Sequence, residues 1–386
     1  MQFNTKLLHG KAVGQYQDGA TLPPVVQSNA YRYESFEKLE RVFSHKSMGY
    51  AYSRIGNPTV TAFERRINEL EGGIGAVATS SGMAAISQTL LTILTPGDEI
   101  IAGNGLYGGT IDLLENLDRL GIRTRFVSRL EPSQIRQVLT ARTRVIYGEL
   151  ISNPALQVLD VPAVSEFAHA HGLPLIIDST TATPLLASPI ALGADIVLHS
   201  SSKYISGSGD AISGVVIDSG RFAWDFTRYP ALRGFERWGK SAFLMRLRMD
   251  IYENFGGCLS PQNAFLNVLG LETLGLRMER ICENASALAK ALSDAGVDVN
   301  YPTLENHPDH ALCGRQFRGL GGGILTFRAG SREKAVQVLN SLQYASIASN
   351  IGDVRTLVIY PATTIFMKNT PERKRTHHRR PAHRRR

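Results

Sequence analysis

Between Ala62 and Val216 the chain alternates short β-rich runs with helical patterns, and this constrains its fold more than any other feature. Strands are expected at Gly75–Thr79, 99–102, Arg123–Val127, 143–147, 174–177 and 194–198, with helices at 84–94, 110–120, 132–140 and 163–171 between them. Such alternation builds a mostly parallel sheet covered on both faces. The strands are apolar throughout, as strands buried on both faces tend to be. Residues 1–60 precede this block as an arm, with Pro23-Pro24 and little helical periodicity before Ser35. A helical stretch follows from about 238 to 274, interrupted at Gly256-Gly257, and a smaller α/β unit begins at Leu276. At 386 residues, two domains are expected.

The formal net charge of +8 suggests an acidic partner until its distribution is read. Residues 372–386 hold eight Lys or Arg against one acid, which leaves the body of the chain close to neutral. This segment reads as a basic, disordered tail. Clustered arginines bind phosphates without sequence preference, but no aromatic residue is interleaved here for base stacking, so a nucleic-acid partner is not expected. No apolar run is long enough to span a bilayer and no signal-peptide core follows Met1, so the expected location is cytoplasmic and off the membrane. Cys258, Cys282 and Cys313 are widely spaced and read as free thiols. His169 and His171 lie two apart and point in different directions on a helix, and no metal site is expected.

Three features fit a phosphorylated pyridine aldehyde. Ser80-Ser81-Gly82-Met83 sits between a strand and a helix, where glycine lets the backbone approach closely and helix-start amides favour phosphate. Asp178 ends a strand at the edge where α/β sheets bind ligands, and such an anion keeps a cofactor's ring nitrogen protonated. Lys203 follows a strand in His199-Ser200-Ser201-Ser202-Lys203-Tyr204, with Ser200 and Ser202 able to donate to phosphate oxygens. A lysine in a crowded site is the residue that forms imines. Each feature has an everyday reading as a turn, an N-cap or a surface lysine. Their order and spacing together favour the cofactor.

The segments from Asp178 to Pro184 and from Leu192 to Tyr204 resemble the signature of the Cys/Met-metabolism pyridoxal-phosphate enzymes, the cystathionine γ-synthase family. The resemblance runs from about residue 5 to about 366. It implies the α/β fold of PLP-dependent transferases, aspartate aminotransferase-like and of fold type I. On that pattern residues 1–60 are an arm contacting a neighbouring subunit, 61–245 a large cofactor-binding domain with a mostly parallel sheet, and 246–371 a smaller α/β domain. Tyr50 to Thr59 is similar to the family's arm motif, which implies that Tyr52 and Arg54 reach the phosphate of a neighbouring subunit. Leu106 to Thr110 resembles the motif that lays a tyrosine, here Tyr107, over the cofactor ring. Ser152-Asn153-Pro154 resembles the motif whose asparagine faces the ring oxygen. Gly82 and Met83 would supply phosphate-binding amides. The implied assembly is at least a dimer, and in this family usually a tetramer of close dimers.

Within the family, Cys258 to Leu266, Gly270 to Arg280 and Ser349 to Leu357 resemble the O-acetylhomoserine sulfhydrylases. Asn350, with Tyr52, is then expected near the substrate. Gly109 stands where methionine γ-lyases carry a cysteine. The resemblance implies addition of sulfide or a thiol to O-acetylhomoserine, with cystathionine γ-synthase and γ-lyase chemistry as alternatives. The family's R-x-S-x-G-x-E segment, whose arginine pairs with the substrate carboxylate, has no counterpart in 372–386. A weakly active, cofactor-binding pseudoenzyme is therefore a further alternative.

Overall fold

The computed structural model describes residues 1–14, 16 and 19–366. The basic segment 372–386 lies outside the described residues. Seven strands carry the α/β part: β1 Gly75–Thr79, β2 Glu99–Gly103, β3 Arg123–Val127, β4 Thr143–Glu149, β5 Leu175–Asp178, β6 Ile196–His199 and β7 Gly214–Asp218. All six expected strands form. The seventh, β7, is a buried Gly-Val-Val-Ile-Asp run that the alternating pattern had not delimited. The chain divides into two compact units, Met1–Thr95 with Asp195–Gly275, and Pro96–Ala194 with Leu276 onward.

In the first unit β7 runs antiparallel to both β1 and β6, with Gly75 opposite Asp218 and His199 opposite Val215. The helix Pro58–Glu71 covers β1. It starts on Asn57, whose side chain accepts the Thr59 and Val60 amides, has proline at its first turn, and ends on Gly72 at φ 77°. Phe63 and Ile67 are fully buried on its inner face. Glu64, also buried, accepts the Ala78 amide at 2.8 Å and Arg248 Nη2 at 2.8 Å, so its charge is paired and hydrogen-bonded.

The stretch 238–274 departs from the single interrupted helix expected of it. A 3-10 segment, Pro230–Ser241, breaks at Gly239, and a π-helical turn, Leu247–Tyr252, inserts between two short α-helical pieces. Gly256 at φ 70° stops the run, and Ser260 with Pro261 starts the helix Pro261–Glu272 afresh. Residues 1–60 also contain a helix, Phe3–His9, that their weak periodicity does not announce.

The second unit has strand order β5-β4-β2-β3 with every neighbour parallel. Its later part holds the long helix Leu274–Asp294, two short two-stranded pairings and a cluster of Ala285, Ala289, Val299 and Tyr301. Asp309 there accepts Arg129 Nη2 at 2.5 Å and the Val158 amide at 3.0 Å. Cys258, Cys282 and Cys313 are free thiols. Burial pushes Cys282 up to about 11 and Cys313 up to about 12. Among the described residues no helix is long and apolar enough to cross a membrane, and no cluster suited to a metal ion occurs.

Gly270 shows how tightly Pro261–Glu272 packs on the loop after Lys203. A Cβ there would lie 2.2 Å from the Ile205 carbonyl oxygen and 2.6 Å from that of Ser206. Exchanging a helical glycine for alanine ordinarily stabilises by about 1 kcal/mol. Gly270→Ala is expected to do the reverse, costing roughly 1–3 kcal/mol through overpacking, as a urea titration would register.

Candidate cofactor site

In the first unit the turn from β1 into the helix Gly82–Ile93 is built to leave amides pointing outward. Ser81 caps the helix by accepting the Ala84 amide at 3.1 Å, and the Ala85 amide returns to the Ser81 carbonyl. Gly82 and Met83 are thus the first-turn amides without an intrahelical partner. Thr79 Oγ1 donates to the Ser81 carbonyl at 2.9 Å, and the Ser80 amide donates to Gly257 at 2.8 Å. Against this turn lies the segment after β6. A Cβ on Gly82 would sit 2.6 Å from Ser200 Cβ and 2.8 Å from its Oγ, so the glycine is required by the approach of the two segments. Gly214 is equally constrained, since a Cβ there would meet the Ser81 carbonyl oxygen at 2.2 Å.

Ser200 therefore stands beside the helix start. Ser202 is more committed: its hydroxyl donates to the Ser213 carbonyl at 2.9 Å and accepts the Ser213 amide at 2.8 Å. Those bonds pin the loop that carries Lys203. Burial holds the Lys203 amine below the ordinary lysine range, which raises its neutral, nucleophilic fraction at a given pH. Next to the loop, His199 Nε2 and Glu71 Oε1 form a fully buried contact of 2.7 Å. In the arm, Tyr52 and Arg54 are exposed; the Arg54 guanidinium lies 5.6 Å from the Tyr52 ring centroid and donates to the Glu253 carbonyl.

The second unit gathers another group at the C-terminal ends of its parallel strands, the edge where such sheets bind ligands. Asp178 Oδ1 accepts the Thr180 amide at 2.9 Å and the Thr180 hydroxyl at 2.5 Å. Beside it in register is Glu149, the last residue of β4. Glu149 did not figure among the sequence candidates, yet it joins two that did. Its Oε1 accepts the Tyr107 amide at 2.6 Å and its Oε2 the Asn153 amide at 3.1 Å. Burial and the adjacent Asp178 push Glu149 up to about 8, against the pull of those two amides. Tyr107 precedes the helix Gly108–Asp118, and its ring turns back so far that a Cβ on Gly109 would lie 2.6 Å from it. Leu106, Glu149, Ser152 and Gln157 border a cavity of about 290 Å³ that reaches the Arg129–Asp309 pair. Asn350 sits half-buried, three residues beyond the short strand Ser346–Ile347.

Residues 4–380 match the family model of the Cys/Met metabolism PLP-dependent enzymes. The chain belongs to this family. It is 40% identical to a homocysteine synthase of Schizosaccharomyces pombe, over 96% of this chain and 90% of that protein. It is 38% identical to an O-acetyl-L-homoserine sulfhydrylase of Leptospira meyeri, over 95% and 88%. A Campylobacter jejuni structure described as an O-acetylhomoserine (thiol)-lyase, containing a lysine modified with pyridoxyl phosphate, superposes with a TM-score of 0.92 at 30% identity. That match covers 98% of this chain and 93% of the other. The fold is that of the fold type I PLP-dependent enzymes, and pyridoxal phosphate is the cofactor of this family member. The residues fit the group: a glycine-walled helix start with outward amides suits a phosphate, and a half-buried amine of lowered basicity suits an aldehyde.

The raised Glu149 has a consequence for stability. Between its ordinary value near 4.5 and about 8, the folded carboxyl holds a proton that the unfolded one has lost. Its contribution is therefore complete below about 4.5 and disappears as pH climbs to about 8. Asp218, pushed up to about 7 by burial, adds a slope of the same sign. Thermal melts of cofactor-free protein should fall from pH 5.5 to 8.5, and Glu149→Gln should make that fall shallower; an unchanged slope would contradict the raised carboxyl.

Proposed function

We propose that the protein catalyses a γ-replacement in which sulfide, or another small thiol, displaces acetate from O-acetylhomoserine and yields homocysteine. The observation that carries this reading is the near full-length similarity to a homocysteine synthase and an O-acetyl-L-homoserine sulfhydrylase, at 40% and 38% identity. Gly109 supports it, because the cysteine expected there in methionine γ-lyases would collide with the Tyr107 ring as it stands.

In this proposal Lys203 would hold the aldehyde of pyridoxal phosphate, and its amine would move protons at the substrate Cα. Its lowered basicity suits that task near neutral pH. Gly82, Met83 and Ser200 hold the phosphate through amides and a hydroxyl, while Ser202 both faces it and fixes the loop. Asp178 holds the proton on the ring nitrogen, Tyr107 covers the ring, and Asn153 faces the ring oxygen. The bound cofactor supplies the electron sink that makes the Cα and Cβ protons labile. Asn350 and Tyr52 contact the amino-acid substrate.

The remaining assignments also belong to the proposal. Residues 1–60 form the arm, 61–245 the large domain and 246–371 the small one. Tyr52 and Arg54 complete the site of a neighbouring copy, so the chain works as a dimer at least, within a tetramer, in the cytoplasm. The exposure of both side chains supports a reach beyond their own chain, and arginine's fork suits a phosphate.

Purified protein supplied with pyridoxal phosphate should be yellow, and borohydride should fix the cofactor to the peptide containing Lys203. O-acetylhomoserine with sulfide should give homocysteine and acetate, and methionine should yield little 2-oxobutanoate. Efficient release of that keto acid without sulfide would place the enzyme among the lyases. For the assembly, mixing inactive Arg54→Ala subunits with inactive Lys203→Ala subunits should restore part of the activity. Verified hybrids that stay inactive would mean each site lies within one chain.

A further inference from the structure

We infer that Glu149 is a positioning residue of this site, whose two carboxylate oxygens lock Tyr107 and Asn153 into one geometry for the cofactor ring. The inference deepens the proposed function and rests on it for the roles of Tyr107 and Asn153. The clamp itself stands on geometry. Tyr107 lies 42 residues before Glu149 and Asn153 four after it, so they occupy the loops following different strands. Each amide donates to a different oxygen of the same carboxylate. Fixing the Tyr107 amide fixes its Cα, and the closeness of the ring to Gly109 leaves little room to swing toward its own helix. The Asn153 loop is tied down independently. The Ser152 amide donates to the Gln157 carbonyl at 3.0 Å, and the Gln157 amide to Ser152 Oγ at 2.9 Å.

Glu149 is itself held by the sheet. As the last residue of β4 it pairs with Asp178 of β5, and the Leu150 amide donates to the Asp178 carbonyl at 2.9 Å. The same strand ends thus carry the partner of the ring nitrogen and the clamp for the residues over and beside the ring. A glutamine has one accepting oxygen and one donating amide group, so it satisfies only one of the two amides and turns a donor toward the other. Losing a hydrogen bond to a charged or strongly polar acceptor typically reduces binding or turnover by about 10- to 100-fold.

The test compares wild type, Glu149→Gln and Glu149→Asp by two independent readouts. Hydrogen exchange of peptides spanning 104–110 and 150–156 reports the clamp without needing the cofactor. In Glu149→Gln, exchange should quicken in one or both, with the global melting temperature nearly kept at pH 6. With pyridoxal phosphate bound, the visible circular dichroism should change in shape, and kcat should drop about 10- to 100-fold with a smaller change in KM. Glu149→Asp, which keeps two accepting oxygens on a shorter arm, should fall between the two. Exchange, dichroism and kcat all matching wild type in Glu149→Gln would overturn the inference. Wild-type protein that takes up no cofactor would instead sink the proposed function and the cofactor half of this inference, while the exchange readout would still decide the clamp.

Discussion

Backbone approaching backbone, with no room for a side chain between, is the constraint on which the group of residues in the first unit depends. Gly82 against Ser200 and Gly214 against the Ser81 carbonyl bring the turn after β1, the loop after β6 and the start of β7 together. Any Cβ at either glycine would push these segments apart. The reversed strand β7 makes this possible, because its antiparallel pairing with both β1 and β6 brings Gly214 opposite Thr79, two residues from Ser81. A phosphate-binding helix start is common in α/β proteins. What individualises this one is that the lysine loop is pinned to the residue just before the same strand, through Ser202 on Ser213.

Much of this was legible in the sequence, and the legible parts share a cause. Short apolar runs alternating with helical patterns mark buried strands, so most of β1 to β6 can be read from the pattern, although β3 carries Arg123 and Arg125. Residue types with narrow chemical uses, such as Lys203 after a serine run and Asp178 at a strand end, point to their chemistry once their spacing is read. The failures have causes too. The stretch 238–274 reads as an interrupted helix because helical periodicity does not separate α from π turns, which shift register by one residue. The tie from Ser202 to Ser213 is not legible in the sequence, because a hydroxyl's partner is decided by whichever segment comes alongside. Glu149 escaped notice because a lone glutamate ending a strand resembles any solvated acid. A signal was available: it stands four residues before Asn153, within reach of that loop's first amides.

The two carboxylates at the ends of β4 and β5 show why sheet register matters for chemistry. Asp178 and Glu149 are paired across the ladder, so ionising both would set like charges side by side at the half-buried sheet edge. The structure divides the task by partner. Asp178 receives a hydroxyl and an amide from Thr180, two donors on one oxygen, while Glu149 spreads two amides over two oxygens and carries the upward shift. Below them on the same sheet face, Tyr147 is fully buried, and its phenol is pushed upward by burial and by both carboxylates. A neutral phenol beneath the pair adds no further charge to it.

From this division follows a reason for glutamate, and not a shorter or uncharged residue, at position 149. The two amides, from separate loops, meet two different oxygens of one side chain, whereas serine, asparagine and glutamine each offer a single accepting atom. Aspartate provides both but, one methylene shorter, has to draw the loops inward to keep them. Only a carboxylate on the longer arm meets both amides where the strands leave them. When it holds a proton, its hydroxyl oxygen still has a lone pair to offer, so the clamp outlasts a change of charge state that the neighbouring Asp178 makes favourable. Geometry at this edge thus rests on a group whose accepting oxygens persist while its charge is free to yield.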